Sequence, residues 1–335
     1  MAVKVACNLC GASEVRELYP DTLRDDDRSG SVDRYRCTSS GYGRHHAIVA
    51  CTRCGLVYAS PRQCDEAISQ SYQAVTDELY LEERRGRVLT FARNFRALEL
   101  LVRDSVQWHA GRPRLLDVGC YSGIFLEIAA EHGWDAWGIE PSRWAAQEAR
   151  RRGLQVVTGT LADAEFPPES FDVVTLWDVI EHFTDPKAEI RRINRLLKPH
   201  GVVCIHTIDI GSLLPRLLGP RWPWLMEMHL YYFSRRTLAL LLRMTGFQVV
   251  RQFAQGRYLA LDYLLAQLSA LSPRLPRILR RGAGRLGIGQ WAIPINLGDL
   301  CTTLARKVID LQPRREPPPE EEKAACAGVA QPLAD

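Results

Sequence analysis

Two groups of residues in this 335-residue chain have types and spacings that could do chemistry. The first is a pair of knuckles, Cys7-Asn-Leu-Cys10-Gly and Cys51-Thr-Arg-Cys54-Gly. Two thiolates at this spacing can hold one metal from a tight turn, and the glycine that follows each pair relieves the turn. Two knuckles supply a closed tetrahedral sulfur set, which suits structural zinc and leaves no open position to activate water. The alternatives are four free thiols or a redox CxxC, but a redox motif occurs once, in a thioredoxin-like setting. Cys37, His45 and His46 lie between the knuckles and Cys64 just outside, as substitute ligands. The second group lies in Leu115–Ser142. An apolar run ends at Asp117-Val118, Gly119 and Gly123 flank a tight turn, a helix begins near Ser122, and Glu140 closes the next apolar run. Glycines let a backbone approach a ligand closely, and a helix N-terminus offers unpaired N–H groups. An acid in Glu140's position can accept hydrogen bonds from both ribose hydroxyls and repels a 2′-phosphate.

The glycine spacing separates two nucleotide ligands. A dinucleotide pyrophosphate calls for G-x-G-x-x-G, whereas this turn reads G-x-x-x-G. Asp117, just before the turn, suits a cationic amino group better than a pyrophosphate. Both features favour S-adenosylmethionine (SAM) over NAD. Residues 112–253 resemble a class I SAM-dependent methyltransferase. DVGCYSG is similar to that family's first motif, D-x-G-x-G-x-G, and Glu140 matches its ribose-binding acid. GTLADAEFPPESFDVVTLWDVIEHFTDP resembles its adenine loop and fourth strand, and RLLKPHG the turn before its fifth. The resemblance implies that Asp117, Gly119, Tyr121 and Gly123 border the cofactor, with Thr160, Leu161 and Asp163 near the adenine. It also implies that Trp177 and Asp178 face the sulfonium. The chain departs from the pattern twice: Tyr121 replaces the middle glycine, and Thr160 stands where many members carry an acid.

These residues need a scaffold, and the chain pattern supplies one. Between residues 112 and 253, short β-rich runs alternate with helical patterns, the mark of βαβ units and a mostly parallel sheet. The expected strands are Arg114–Val118, Ala136–Ile139, Leu154–Thr158, Phe171–Leu176, Val202–Thr207, Phe247–Phe253 and, last, Cys301–Val308. The expected fold is α/β, a Rossmann-like doubly wound seven-stranded sheet whose ligand lies outside the carboxyl ends of the strands. An N-terminal zinc-ribbon-like module (1–62) and a helical linker (63–110) precede the SAM-binding core (111–253). A helical insertion and the last strand (254–310) follow it, and a Pro- and Glu-rich tail (311–335) is expected to be disordered.

The segment after the fifth strand, 208–234, carries Trp222, Trp224, Met226, Met228, Tyr231 and Tyr232. It reads as an acceptor lid that excludes water and stacks on a sugar or ring, beside the plainer reading of a loop packed on the core. With the cysteine module, its His-Leu-Tyr-Tyr-Phe-Ser stretch narrows the resemblance to zinc-containing methyltransferases of bacterial sugar and polysaccharide clusters. Among those, deoxysugar C-methyltransferases use the matching His as base, which points to His229. Met228 stands where they carry Glu, with Glu227 adjacent, so oxygen methylation is at least as well supported as carbon methylation. His182 is the second candidate base, against the plainer reading of a residue that shapes the pocket. Arg274, Arg277, Arg280, Arg281 and Arg285 follow an apolar helix expected over Tyr258–Leu271. They form either a solvated face or, across 258–285, a basic patch touching anionic lipid, suited to a nucleotide- or lipid-linked acceptor.

Composition sets the bounds. Forty-three basic and 39 acidic residues leave a net charge of +4, which makes no electrostatic case for nucleic acid. An rRNA methyltransferase with a zinc module is the competing enzymatic reading, and a non-catalytic zinc scaffold the competing class. No apolar run is long enough for a membrane span and the first residues lack a signal-peptide stretch. The chain is therefore expected in the cytoplasm, where thiols stay reduced and the ten cysteines need a reason other than disulfides.

Overall fold

The structure is a computed structural model that describes residues 2–23, 32–39, 41–82, 84–103, 111–261, 289 and 291–310. The N-terminal part begins with β1 (Ala2–Val3) and continues through β2 (Val15–Tyr19), β3 (Ile48–Cys51), β4 (Val57–Ala59) and β5 (Arg62–Gln63). Three helices follow, α1 (Asp65–Gln73), α2 (Glu78–Glu82) and α3 (Arg84–Arg103). The central part runs β6 (Arg114–Val118), α4 (Ile124–Glu131), β7 (Asp135–Glu140), α5 (Arg143–Arg151), β8 (Gln155–Thr158), β9 (Phe171–Trp177), α6 (Pro186–Leu196) and β10 (Leu197–Ile208). It closes with α7 (Leu213–Leu218), β11 (Tyr231–Tyr232), α8 (Arg235–Met244), β12 (Phe247–Ala254), β13 (Arg257–Ala260), β14 (Ala292–Ile295) and β15 (Leu300–Lys307).

Seven strands form one Rossmann-like mixed sheet in the order β12-β15-β10-β9-β6-β7-β8. All seven expected strands are present, each within a few residues of its expected bounds. β6 to β10 pair in parallel, and β15 runs antiparallel between β10 and β12. β9 is buried along its whole length, Phe171 to Trp177, as a central parallel strand covered on both faces must be. The helices start and stop on local chemistry. Ser142 caps α5 by accepting from the Ala145 N–H, and Asp185 caps α6 from Ala188 with Pro186 in its first turn.

One sheet face is covered by α3, α4 and α5 through Phe95, Leu98, Phe125, Ala145 and Ala149. A second apolar cluster joins Val118, Ile139, Ile190, Ile193 and Leu241 to Cys7, Leu9, Leu56 and Tyr58 of the N-terminal part. The cysteine module is therefore packed into the same core as the catalytic sheet. Its own four-stranded sheet has the order β11-β4-β3-β2, so its edge strand comes from residues 231–232.

The late segment departs from expectation. Tyr258 does not open a helix. Arg257–Ala260 is a strand, antiparallel to β14, because Tyr258 and Leu259 alternate between faces across a ladder with Ile293 and Pro294. Residues 262–271 of the expected helix, the five arginines and the tail lie outside the described residues. No helix among the described residues is long and apolar enough to cross a membrane.

Candidate active site and metal centre

The turn after β6 is built by backbone geometry. Gly119 has φ +70° and a Cβ there would sit 2.7 Å from Val179 Cγ2, so glycine is required. Tyr121, in place of the usual glycine, also adopts positive φ, 51°. Its ring leaves the turn to pack against Tyr80 (centroids 4.2 Å apart) and Trp144, and its buried hydroxyl has no hydrogen-bond partner among the described residues. Gly123, the left-handed N-cap of α4, faces α5: a Cβ would collide with Leu154 and press on Ala149. Close helix packing accounts for it.

Glu140 ends β7 and is buried. Its two carboxylate oxygens accept the N–H groups of Tyr121 and Ser142, each at 2.8 Å. Burial pushes its pKa up to about 7 against those two bonds. Asp117 accepts the Thr175 hydroxyl at 2.6 Å, and burial raises it to about 8. In the loop after β8, one Asp163 oxygen accepts both the N–H and the hydroxyl of Thr160 at 2.8 Å. These bonds lower the Asp163 pKa. Leu161 is buried beside them. Thr160, Leu161 and Asp163 thus form one self-capped turn. Trp177 ends β9 against Phe125 and Phe91, with its indole N–H buried and without a partner among the described residues.

At the same strand ends lies a cluster of imidazoles and carboxylates. Asp178, with φ +56°, faces Arg257 at 3.3 Å and His206 Nε2 at 3.8 Å. Burial opposes its charge, but Arg257 and then His206 outweigh burial and hold its pKa below the ordinary value. Glu181 is buried, accepts the Thr207 hydroxyl at 2.8 Å, and is raised to about 8 by burial and by Asp178. His182 donates from Nδ1 to the Met228 carbonyl at 2.8 Å and His229 from Nδ1 to the Trp224 carbonyl at 2.7 Å. Their ring centroids are 5.0 Å apart. Burial lowers both pKa values, His229 to about 3, so both rings are neutral near pH 7. Tyr72 of α1 adds its hydroxyl 2.9 Å from His182 Nδ1.

The two candidate bases therefore lie side by side. His206 and Arg257 were not singled out from sequence. For His206 the signal was there: a histidine near the carboxyl end of an otherwise apolar parallel strand, buried and lowered to about 4. Arg257 had no signal, because its position depends on the β13–β14 pairing.

Ligating atoms of Cys7, Cys10, Cys51 and Cys54 all lie within 4.8 Å of one another. Cys7 Sγ is 3.4 Å from Cys54 Sγ, and Cys10 Sγ 3.5 Å from Cys51 Sγ. Thiolates around zinc at roughly 2.3 Å stand about 3.8 Å apart, so the four sulfurs fit that ion with small adjustments. Burial would raise the Cys51 thiol, but the N–H groups of Cys54 and Arg53 outweigh it and bring it down to about 7. His45 and His46 bond elsewhere, to a backbone carbonyl and beside Asp21. Cys37 and Cys64 are outside the set.

Residues 82–252, about half of the chain, match the family model described as a methyltransferase domain. The ubiquinone biosynthesis O-methyltransferase of Methylococcus capsulatus is 38% identical over 109 residues, 30% of this chain and 45% of that protein. The enzyme of the same name from Idiomarina loihiensis is 34% identical over 105 residues, 29% of this chain and 42% of that protein. The chain thus spans less than half the length of these curated relatives. A SAM-dependent methyltransferase of Archaeoglobus fulgidus covers 69% of this chain and all of its own at 19% identity and a TM-score of 0.45. With the turn, the strand order and the family match on one stretch, this chain belongs to the methyltransferase-domain family.

Proposed function

We propose that the chain transfers a methyl group from SAM to a small-molecule acceptor, a sugar, glycan or related compound, nucleotide- or lipid-linked. The receiving atom is oxygen. The observation that carries the reading is the placement of two neutral imidazoles, His182 and His229, at the strand ends that also hold Glu140 and the glycine turn. Glu140 would take the ribose hydroxyls, Trp177 and Asp178 would border the sulfonium, and the Thr160–Asp163 turn the adenine. The lid places Trp224 beside His229 and Arg257, a stacking face next to a cation, which suits a ring bearing an anionic group. Methyl transfer is an in-line displacement: the acceptor oxygen attacks the methyl carbon while the sulfonium bond breaks, and its proton leaves into the His182–His229 cluster. The curated relatives are named O-methyltransferases, which supports oxygen over carbon. Zinc in the four-cysteine set would be structural, its four positions filled by sulfur.

Isothermal titration of zinc-replete protein tests the reading. SAM and S-adenosylhomocysteine are expected to bind in the micromolar range and NAD not at all. Absence of binding by both sulfur ligands would overturn it and favour a scaffold. With an acceptor found by screening nucleotide sugars, His229→Ala should cut kcat about 100-fold or more, with S-adenosylhomocysteine affinity little changed.

A further inference from the structure

Glu181, His182 and His229 each present a ligating atom within 4.8 Å of the other two. Each ring has Nδ1 against a backbone carbonyl, which can only accept, so Nδ1 of His229 carries the hydrogen toward Trp224 and Nδ1 of His182 carries it where it bonds Met228, the Tyr72 hydroxyl 2.9 Å away then serving as a further acceptor. Each ring then keeps a lone pair on Nε2. A ring whose other N–H is donated to a backbone carbonyl is the usual state of a metal-binding histidine, because that bond fixes both tautomer and orientation. Glu181 has the corresponding support: Thr207 donates to one carboxylate oxygen, leaving the other to ligate. His206 repeats the pattern, since its Nδ1 lies 2.9 Å from Thr302 Oγ1, whose hydroxyl donates to Gln255. Its Nε2 lone pair therefore faces the Asp178 carboxylate. The pocket thus gathers three imidazoles and the Asp178 and Glu181 carboxyl groups, with Arg257 held by Asp178 at its side.

We propose that Glu181, His182 and His229 form a second metal site, distinct from the four cysteines, that takes one divalent cation. Two imidazoles and one carboxylate, with no sulfur, suit a borderline ion such as Mn²⁺, Fe²⁺, Co²⁺ or Zn²⁺ and leave positions open. Ligands around such an ion at about 2.1 Å stand roughly 3 to 4.3 Å apart, so small side-chain rotations complete the set. The binding claim is independent of the reaction, but its use rests on the methyltransferase reading. The open positions would take the acceptor's oxygen and lower its pKa. With the imidazole lone pairs on the ion, the hydroxyl's proton would go to solvent in place of the His182–His229 cluster, and the oxygen would form its bond to the methyl carbon. The electron pair of the broken carbon–sulfur bond stays on sulfur as a thioether.

The test is titration of the zinc-loaded full chain with Mn²⁺, followed by loss of the free-ion EPR signal, and with Co²⁺, followed by visible absorption. One Mn²⁺ or Co²⁺ per chain is expected beyond the zinc, with Co²⁺ bands free of thiolate charge transfer. Glu181→Gln and His229→Gln should each weaken uptake at least 10-fold, while S-adenosylhomocysteine titration shows that the variants are folded. No uptake of either ion up to millimolar concentration overturns the site, as does uptake unchanged in both variants. Uptake without S-adenosylhomocysteine binding would keep the metal site and overturn the methyltransferase reading. The reverse result would do the opposite.

Discussion

Glu140 joins the glycine turn to the proposed ribose site, since the same carboxylate that would bind two hydroxyls also holds the N–H groups of Tyr121 and Ser142. Glu140→Gln puts an amide NH₂ where one of those donors points, and should raise the Kd for S-adenosylhomocysteine about 10- to 100-fold, the loss of one or two charge-assisted hydrogen bonds. Unchanged affinity by titration calorimetry would place the nucleoside elsewhere. Asp117 has a different signature. Its folded pKa, about 8, lies above the ordinary carboxyl value because of burial, so the folded state holds a proton that the unfolded chain releases near pH 4. Stability of the ligand-free protein should therefore fall as pH rises from about 4 to 8, by up to roughly 1.4 kcal/mol per pH unit from this group. Asp117→Asn can still accept from Thr175 and should remove that contribution. Urea midpoints compared from pH 5 to 8 give the answer: an equal slope in both proteins would mean that Asp117 titrates normally. The sequence made Asp117 and Glu140 visible because an acid that ends an apolar run violates the pattern around it. It gave no warning that Gly123 also packs against Leu154 and Ala149, because a glycine beside a helix start has the same appearance in either role.

The parallel strands were legible because each is a short apolar run between turn residues, and β9 needs no partner from elsewhere to be recognised. The strands formed by distant pairing were not. β11 is two residues long and exists through its ladder to β4, Tyr231 with Tyr58 and Tyr232 with Val57. The segment that carries His229 is held by the cysteine module at several points. The Ala59 N–H donates to Leu230 and the Gly43 N–H to Leu225, each at 2.9 Å. Arg34 pairs with Glu227 at 2.9 Å, and Gln63 donates to the same carboxylate. The Cys51–Cys54 knuckle sits in the loop that joins β3 to β4, so metal loss should release β4 and, through it, the loop that presents His229. Hydrogen exchange by mass spectrometry should show residues 225–232 exchanging about 10-fold faster or more after zinc is stripped or in Cys51→Ser. The β6–β9 amides should change little. Equal protection of 225–232 with and without zinc would separate the module from the segment that carries His229.

At the scale of the whole molecule, the module and the catalytic sheet share one apolar core. Cys7, Leu9, Leu56 and Tyr58 lie in the same buried cluster as Val118, Ile139, Ile190 and Leu230. The polar contacts across this boundary point the same way. Asn8 donates to Asp185 at 2.8 Å, Lys187 reaches the Leu9 carbonyl, Arg62 the Thr184 carbonyl, and Arg236 the Cys54 carbonyl. These are the N-cap of α6, the chain just before it and the first turn of α8, so the module braces the helices on one sheet face. A core continuous across a boundary makes the parts unfold together. Zinc bound only to the folded module would then stabilise the entire molecule by mass action. Chelation should lower a single, coincident transition seen by far-ultraviolet circular dichroism and by tryptophan fluorescence. The expected drop is roughly 10 °C, what about 5 kcal/mol does to a chain of this size. Two separated transitions, with only the smaller one moved by the chelator, would show that the module folds apart from the sheet. Deleting residues 1–62 would then be harmless. The shared core predicts the opposite: it would bare Met226, Leu230, Tyr231 and Phe233, all buried in the intact chain, and leave an insoluble remainder.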